Sequence, residues 1–295
     1  MTHFKHLFSY LQERFPFINM GLFAILFGVV FSVTNYRNPT PQKFDLMSLI
    51  GILAVISFFF RLRVYDEIKD FQLDALNHPN RVLQSGKISL KILIFISLII
   101  SIVELFWSYQ KGTSALLAWG IAFFYALLMR YEFFIGDFLK KYLPLYALLH
   151  LLVMPFIIFW IWVAHLGFVI NFNLILLMFF SLIAGFAFEI ARKIHIQAAE
   201  SPTIDSYSKA LGYHSAIYMI VFICIVMAII QILFLYQLQA NWWTYCIILF
   251  LVIWIMFQYF LVLKNPQELS LRKNEKYVSI LMLVSYLLLI FELNY

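Results

Sequence analysis

Four carboxylates, Asp66, Glu67, Asp70 and Asp74, fall within nine positions directly after an apolar run long enough to cross a bilayer. Glu67, Asp70 and Asp74 are spaced i, i+3, i+7, which on a helix places them within roughly 60° of one another. Acids this close at the end of a membrane helix repel unless a cation sits between them, and an all-oxygen ligand set suits a hard ion such as Mg²⁺. The chemistry on offer is retention of a metal-bound anion at a membrane face. A plainer reading stays open: a solvated loop in which these acids pair with Arg61, Arg63 and Lys69.

The elements that must position them are membrane helices. Hydrophobic residues make up 64% of the 295 positions, charged residues only 12%, and 33 residues are Phe, a composition that excludes a water-soluble domain. Apolar segments at 15–34, 44–60, 88–109, 114–129, 143–165, 168–188, 213–236, 242–263 and 278–291 approach the length a spanning helix requires. The expectation is an all-α integral membrane protein of nine transmembrane helices, with residues 1–295 forming one membrane domain. Two long polar stretches interrupt the helices, at 61–87 and 189–211.

With the N-terminus in the cytoplasm, the 21 Lys and Arg residues divide so that only Arg37, Lys43 and Lys111 face the other side. That asymmetry predicts a cytoplasmic N-terminus, an outside C-terminus and a cytoplasmic acidic motif, with a bacterial inner membrane as the expected location. The net charge of +6 is then topological, and lipid headgroups are its partner. No DNA- or RNA-recognition module is visible. Cys224 and Cys246 lack metal or redox spacing and read as packing residues. The first apolar run has full spanning length, unlike the core of a removable signal peptide.

The segment Asp66-Glu67-Ile-Lys-Asp70-Phe-Gln-Leu-Asp74 resembles the NDxxDxxxD signature of the UbiA superfamily of intramembrane prenyltransferases. Asp66 takes the Asn place and Glu67 the first Asp place. The run from Asn77 through Pro79, Arg81, Leu83 and Gly86 to Ile88-Ser89 is similar to the stretch that follows in that family, departing at Val82 where Pro is usual. The resemblance implies a UbiA-like bundle around a lipid-facing cavity. It also implies Mg²⁺ held by Glu67, Asp70 and Asp74 with Asp66 assisting, and Arg81 beside the diphosphate of a prenyl donor.

The second aspartate-rich motif of the family is altered. Glu189-Ile and Leu211-Gly212 align as landmarks, but Lys193 and Ile196 stand where the first aspartates belong, and Glu200 falls near the last. Arg192 and Lys193 offer a fork of donors and a point charge that can meet diphosphate directly. Alternatively they are topological anchors paired with Glu189. Glu189, Glu200 and Asp205 are the candidates for any second metal. The Tyr-x-x-x-Lys element of the family keeps Tyr125 but has Met129 in the Lys place, with Arg130 the nearest cation to that place and a candidate for the diphosphate.

The implied activity is transfer of an isoprenoid chain from a prenyl diphosphate to an acceptor. Diphosphate is a leaving group that needs cations around it, and the allylic carbocation needs a dry pocket. A terpene cyclase of the same superfamily and a non-catalytic lipid-phosphate carrier are the alternatives. No side chain is singled out as catalytic acid or base, and nothing in the loops selects an acceptor. His150, His165 and His195 lack metal spacing and read as interfacial or core residues, while Glu104 and Gln231, inside predicted spans, face a cavity or bridge helices.

Overall fold

A computed structural model describes residues 2–201 and 205–294, and among these the regular elements are all helical. Nine helical segments among the described residues are long and apolar enough to cross a membrane, and the protein is an integral, multi-pass membrane protein. The chain divides into two compact units, Met1–Tyr131 with Trp160–Phe168, and Glu132–Phe159 with Val169–Tyr295.

The first unit begins with α1 (Thr2–Arg14), which lies ahead of the first span and was not expected from the sequence. Pro16 separates it from α2 (Phe17–Asn35), because the residue before a proline avoids helical geometry. The inner face of α1 is apolar: Tyr10 is fully buried in a cluster with Phe15, Phe60, Val64, Leu83 and Leu93, and Leu7 and Leu11 pack against it.

Asp45 starts α3 (Leu46–Asn77), accepting from the Ser48 N–H at 2.9 Å while its own N–H donates to the Ser48 hydroxyl. That backbone hydrogen bond holds the Asp45 carboxyl below the usual carboxylate range. α3 runs 32 residues without a break. At 1.5 Å per residue it is about 48 Å long, so it exceeds a hydrocarbon core of about 30 Å and carries its last turns into the polar region. The stretch at 61–87, expected as a loop, is therefore mostly helix. Only residues 78–89 turn back toward α4 (Leu90–Gln110), which Ser89 caps.

α3 packs mainly on α4. At Gly51 an added Cβ would lie 2.6 Å from the Phe27 ring and 2.7 Å from the Trp107 ring, so only glycine lets both rings approach the helix. α5 (Thr113–Arg130) packs on α4 and buries Ala115, Ala118, Ala122 and Ala126, the small-residue stripe that lets membrane helices come close.

Within the second unit, a tight turn at Glu132–Phe134 and the short α6 (Gly136–Leu139) precede α7 (Leu143–Leu151). The span expected at 143–165 is broken at Leu152 into α7 and α8 (Val153–Leu166), the latter counted with the first unit from Trp160 onward. Pro155 explains the break, since its ring clashes with the carbonyl four residues back and it lacks an N–H. α9 (Phe172–Arg192) packs against α7, α11 and α13 and is mostly buried. After it come a turn at Gln197–Ala199 and α10 (Tyr207–Leu211). The rest is α11 (Tyr213–Gln237), α12 (Trp242–Lys264) and α13 (Glu268–Asn294). α13 starts ten residues before the span expected at 278, since Glu268 to Tyr277 continue the same helix. Cys224 is buried as expected, but Cys246 is exposed on α12 and is no packing residue.

Candidate active site

The acidic motif lies on the last turns of α3, so the one-face arrangement of Glu67, Asp70 and Asp74 follows from helix geometry. Their surroundings differ sharply. Glu67 is 1% exposed, Asp70 and Asp74 are half-buried, and the Asp66 side chain is 43% exposed. Asp66 points outward between Arg63 and Lys69, each at 3.7 Å. Asp66 thus takes Arg63 and Lys69, which the plainer reading of the sequence offered to Glu67, Asp70 and Asp74.

Glu67 and Asp74 are paired by a residue from another helix. Arg14 of α1 donates through Nε to Glu67 at 2.7 Å and through Nη2 to Asp74 at 3.3 Å. Tyr10 also donates to Glu67, at 3.4 Å. Arg81 reaches the same Asp74 oxygen at 2.7 Å from the turn after α3. Glu13 anchors that turn, accepting from the Val82 N–H at 2.9 Å and lying 4.0 Å from Arg81. Burial opposes the charge on Arg14, but the Glu67 hydrogen bond and the charges of Glu67 and Asp74 prevail and raise its pKa. Burial raises the Tyr10 phenol as well, and the Glu67 charge adds to it.

No group of three or more His, Cys, Asp or Glu is close enough to hold a metal ion among the described residues. The acids of the motif are instead spread along α3 and bridged by guanidinium groups. The donor chemistry still fits Mg²⁺. All the candidate ligands are hard oxygens, and Glu67 Oε2 is buried without a hydrogen-bond partner, an acceptor that a hard cation would satisfy.

Arg61 does not join this motif. Its guanidinium lies between the Phe58 and Phe123 rings at 4.4 and 4.6 Å and pairs with Glu104 at 2.8 Å. Glu104 also accepts from Ser57 and Trp119, so it bridges α3, α4 and α5. Arg130 stacks over Tyr65 at 5.4 Å and Tyr131 at 5.2 Å.

In the second unit, Glu189 takes both Arg192, at 2.6 Å, and Lys193, at 2.7 Å. These are the i+3 and i+4 pairs weighed in the sequence as topological anchors. Glu200 accepts from the Ser206 hydroxyl at 2.7 Å, while Asp205 is exposed. Residues 202–204 of this loop lie outside the described residues.

What holds the loop was not legible in the sequence. Arg272 of α13 donates to the carbonyl of Arg192 at 2.8 Å and to that of Ile194, capping the end of α9. Glu268 accepts from Ile196 N–H at 3.1 Å and meets His195 Nδ1 at 2.9 Å. His195 is therefore a loop anchor. His165 is a core residue, its ring meeting Gln42 at 2.7 Å. Gln231 bridges helices by donating to the Ser285 carbonyl at 3.2 Å. Arg14 was also missed as a site residue, although Phe4, Leu7 and Leu11 at helical spacing ahead of Pro16 signal a separate amphipathic helix.

Known proteins share this architecture. The profile of the UbiA prenyltransferase family matches residues 20–284. A digeranylgeranylglyceryl phosphate synthase of Methanosphaera stadtmanae is 24% identical over 244 residues, covering 81% of this chain and 85% of that protein. A solved structure described as giving insights into the biosynthesis of digeranylgeranylglyceryl phosphate synthase in membranes superposes with a TM-score of 0.69 at 22% identity, covering 98% of this chain and 99% of that one. An apo UbiA homolog from Aeropyrum pernix K1 gives 0.67 at 17% identity over 91% and 96% of the two chains. A UbiA homolog from Archaeoglobus fulgidus, bound to GPP and Mg²⁺, gives 0.56 at 13% identity over 95% and 99%. At these identities the superpositions establish the fold.

Proposed function

The chain belongs to the UbiA prenyltransferase family, and from that premise we propose that this intramembrane prenyltransferase takes a prenyl diphosphate with Mg²⁺ at the cytoplasmic end of α3 and transfers the prenyl group to a lipid phosphate acceptor. The observation that carries the site is the acidic face of α3, with Arg81 held 2.7 Å from Asp74. The acceptor class rests on the digeranylgeranylglyceryl phosphate synthase among the relatives.

In this reading Glu67, Asp70 and Asp74 are the metal ligands, and Asp66 shapes the adjacent surface. Mg²⁺ supplies neutralisation of the departing diphosphate, as metal ions do at developing anions. Arg81 and Arg130 add fixed positive charge. Arg192 and Lys193 share one carboxylate, a cluster of net charge +1 suited to a phosphate anion. Glu189 serves as their counter-ion, leaving Glu200 and Asp205 as the acids for any second metal. Residues 1–295 act as one membrane domain with a cytoplasmic N-terminus and an outside C-terminus, in a bacterial inner membrane.

The experiment is an assay of the purified protein in lipid nanodiscs, with a panel of labelled prenyl diphosphates, Mg²⁺ and a prenylglyceryl phosphate. Released diphosphate together with a prenylated acceptor is the expected result. Diphosphate release with a cyclised hydrocarbon and no conjugate would make the protein a cyclase. Donor binding without diphosphate release would make it a carrier.

A further inference from the structure

We propose that Arg14 is the resident counter-cation of the acidic motif, and that a divalent metal enters only by displacing it, loosening α1 from the end of α3. The proposal rests on the reading of Mg²⁺ as the metal of this site.

Three observations converge on Arg14. Its planar fork meets Glu67 and Asp74 together, at 2.7 and 3.3 Å. These residues are seven positions apart, about 10 Å along a helix axis, so one guanidinium spans the face on which the metal would be ligated. Secondly, Glu67 is 1% exposed, with Tyr10 and Arg14 as its hydrogen-bond partners and its second oxygen buried and without one. A metal that uses Glu67 must shift these side chains of α1 to reach it. Thirdly, Glu67 and Asp74 already face guanidinium groups, those of Arg14 and Arg81. A divalent ion added beside a retained guanidinium would bring like charges within a few ångströms in a partly buried site, which is costly. Exchange of one cation for the other avoids this.

α1 is built to respond. Among the described residues its other attachments include the apolar contacts of Leu7, Tyr10 and Leu11, the Phe8 ring against Phe17, and Glu13, which accepts from Val82 and lies 4.0 Å from Arg81. At the edge of that packed face Phe4 (77%) and Phe8 (42%) are exposed, beside Lys5. A helix that exposes aromatic and cationic residues settles into a membrane interface, so release from α3 leaves α1 a favourable resting place.

The test uses the full chain in nanodiscs and Mn²⁺ as the probe, its free concentration read by electron paramagnetic resonance without substrate. Arg14→Gln should bind Mn²⁺ roughly tenfold more tightly than the parent, as expected when a charge-assisted competitor is removed. Equal or weaker binding by the folded variant overturns the proposal. Because Arg14→Gln leaves Glu67 buried and unpaired, hydrogen exchange of the unmodified protein is the second measurement. Saturating Mg²⁺ with inorganic diphosphate should raise exchange across residues 4–14 while α2 and α3 stay protected. A merely structural Arg14 would leave exchange in α1 unchanged, and that result overturns the proposal although metal binds. Absence of Mn²⁺ binding to both proteins, with and without a prenyl diphosphate analogue, overturns the metal reading itself and this inference with it.

Discussion

Arg61 and Glu104 form an ion pair with 2.8 Å between Nη1 and Oε2, at 2% and 0% residue exposure, inside spans of α3 and α4. Nε and Nη2 of Arg61 have no hydrogen-bond partner, so Glu104, the Ser101 hydroxyl and the two flanking rings carry the charge. Glu104→Ala should therefore destabilise the protein by about 3–5 kcal/mol, the usual cost of leaving a buried charge uncompensated. Replacing both residues by Met should recover most of that loss. Unfolding in graded denaturing detergent measures both, and a double variant no more stable than Glu104→Ala would contradict this account.

Asp70→Ala should abolish prenyl transfer without changing the yield of folded protein, because a half-buried acid on the polar end of α3 contributes to ligand charge and little to packing. EDTA should do the same to the unaltered protein. Turnover in the variant at the parental rate would remove Asp70 from the metal site.

The double variant Arg192→Ala, Lys193→Ala should insert normally and bind prenyl diphosphate on the order of tenfold or more weakly, since charge-assisted contacts to phosphate are lost. The ion pairs with Glu189 go with them. Parental affinity would reduce both cations to topological anchors.

Asp45 caps α3 on the side predicted to lie outside. Its folded pKa is depressed through the Ser48 N–H. Its capping contribution is therefore present above the unfolded carboxyl pKa and lost as pH falls through the lower folded value. Asp45→Ala should cost about 1 kcal/mol at neutral pH, and the difference from the parent should shrink on strong acidification. A penalty that stays constant across that range would locate the effect elsewhere.

Cysteines introduced at Lys69 and Glu200 should both react with an impermeant reagent from the cytoplasmic side, as the distribution of basic residues predicts. The exposed Cys246 must first be changed to Ser. Labelling from opposite sides would refute the proposed topology.

The sequence by itself determined the solvent, the helical class and the single face that the acids would share on a helix. Each is a local property: apolar runs of spanning length cannot remain in water, and i, i+3, i+7 spacing aligns side chains on whatever helix contains them. The i+3 and i+4 pairing of Glu189 with Arg192 and Lys193 was legible for the same reason. What only the tertiary structure decided is which charge meets which across distant segments. Arg14 counted in the sequence as a topological residue, yet it is 53 positions from Glu67 and 60 from Asp74 in the chain while bridging both. Arg61 looked like a partner for the acidic motif, yet a different helical phase turns it inward to Glu104. Arg272 reaches back 80 residues to close the end of α9. A carboxylate in a protein of low charge content takes the cation that helix packing brings to it, and periodicity along one segment carries no record of that choice.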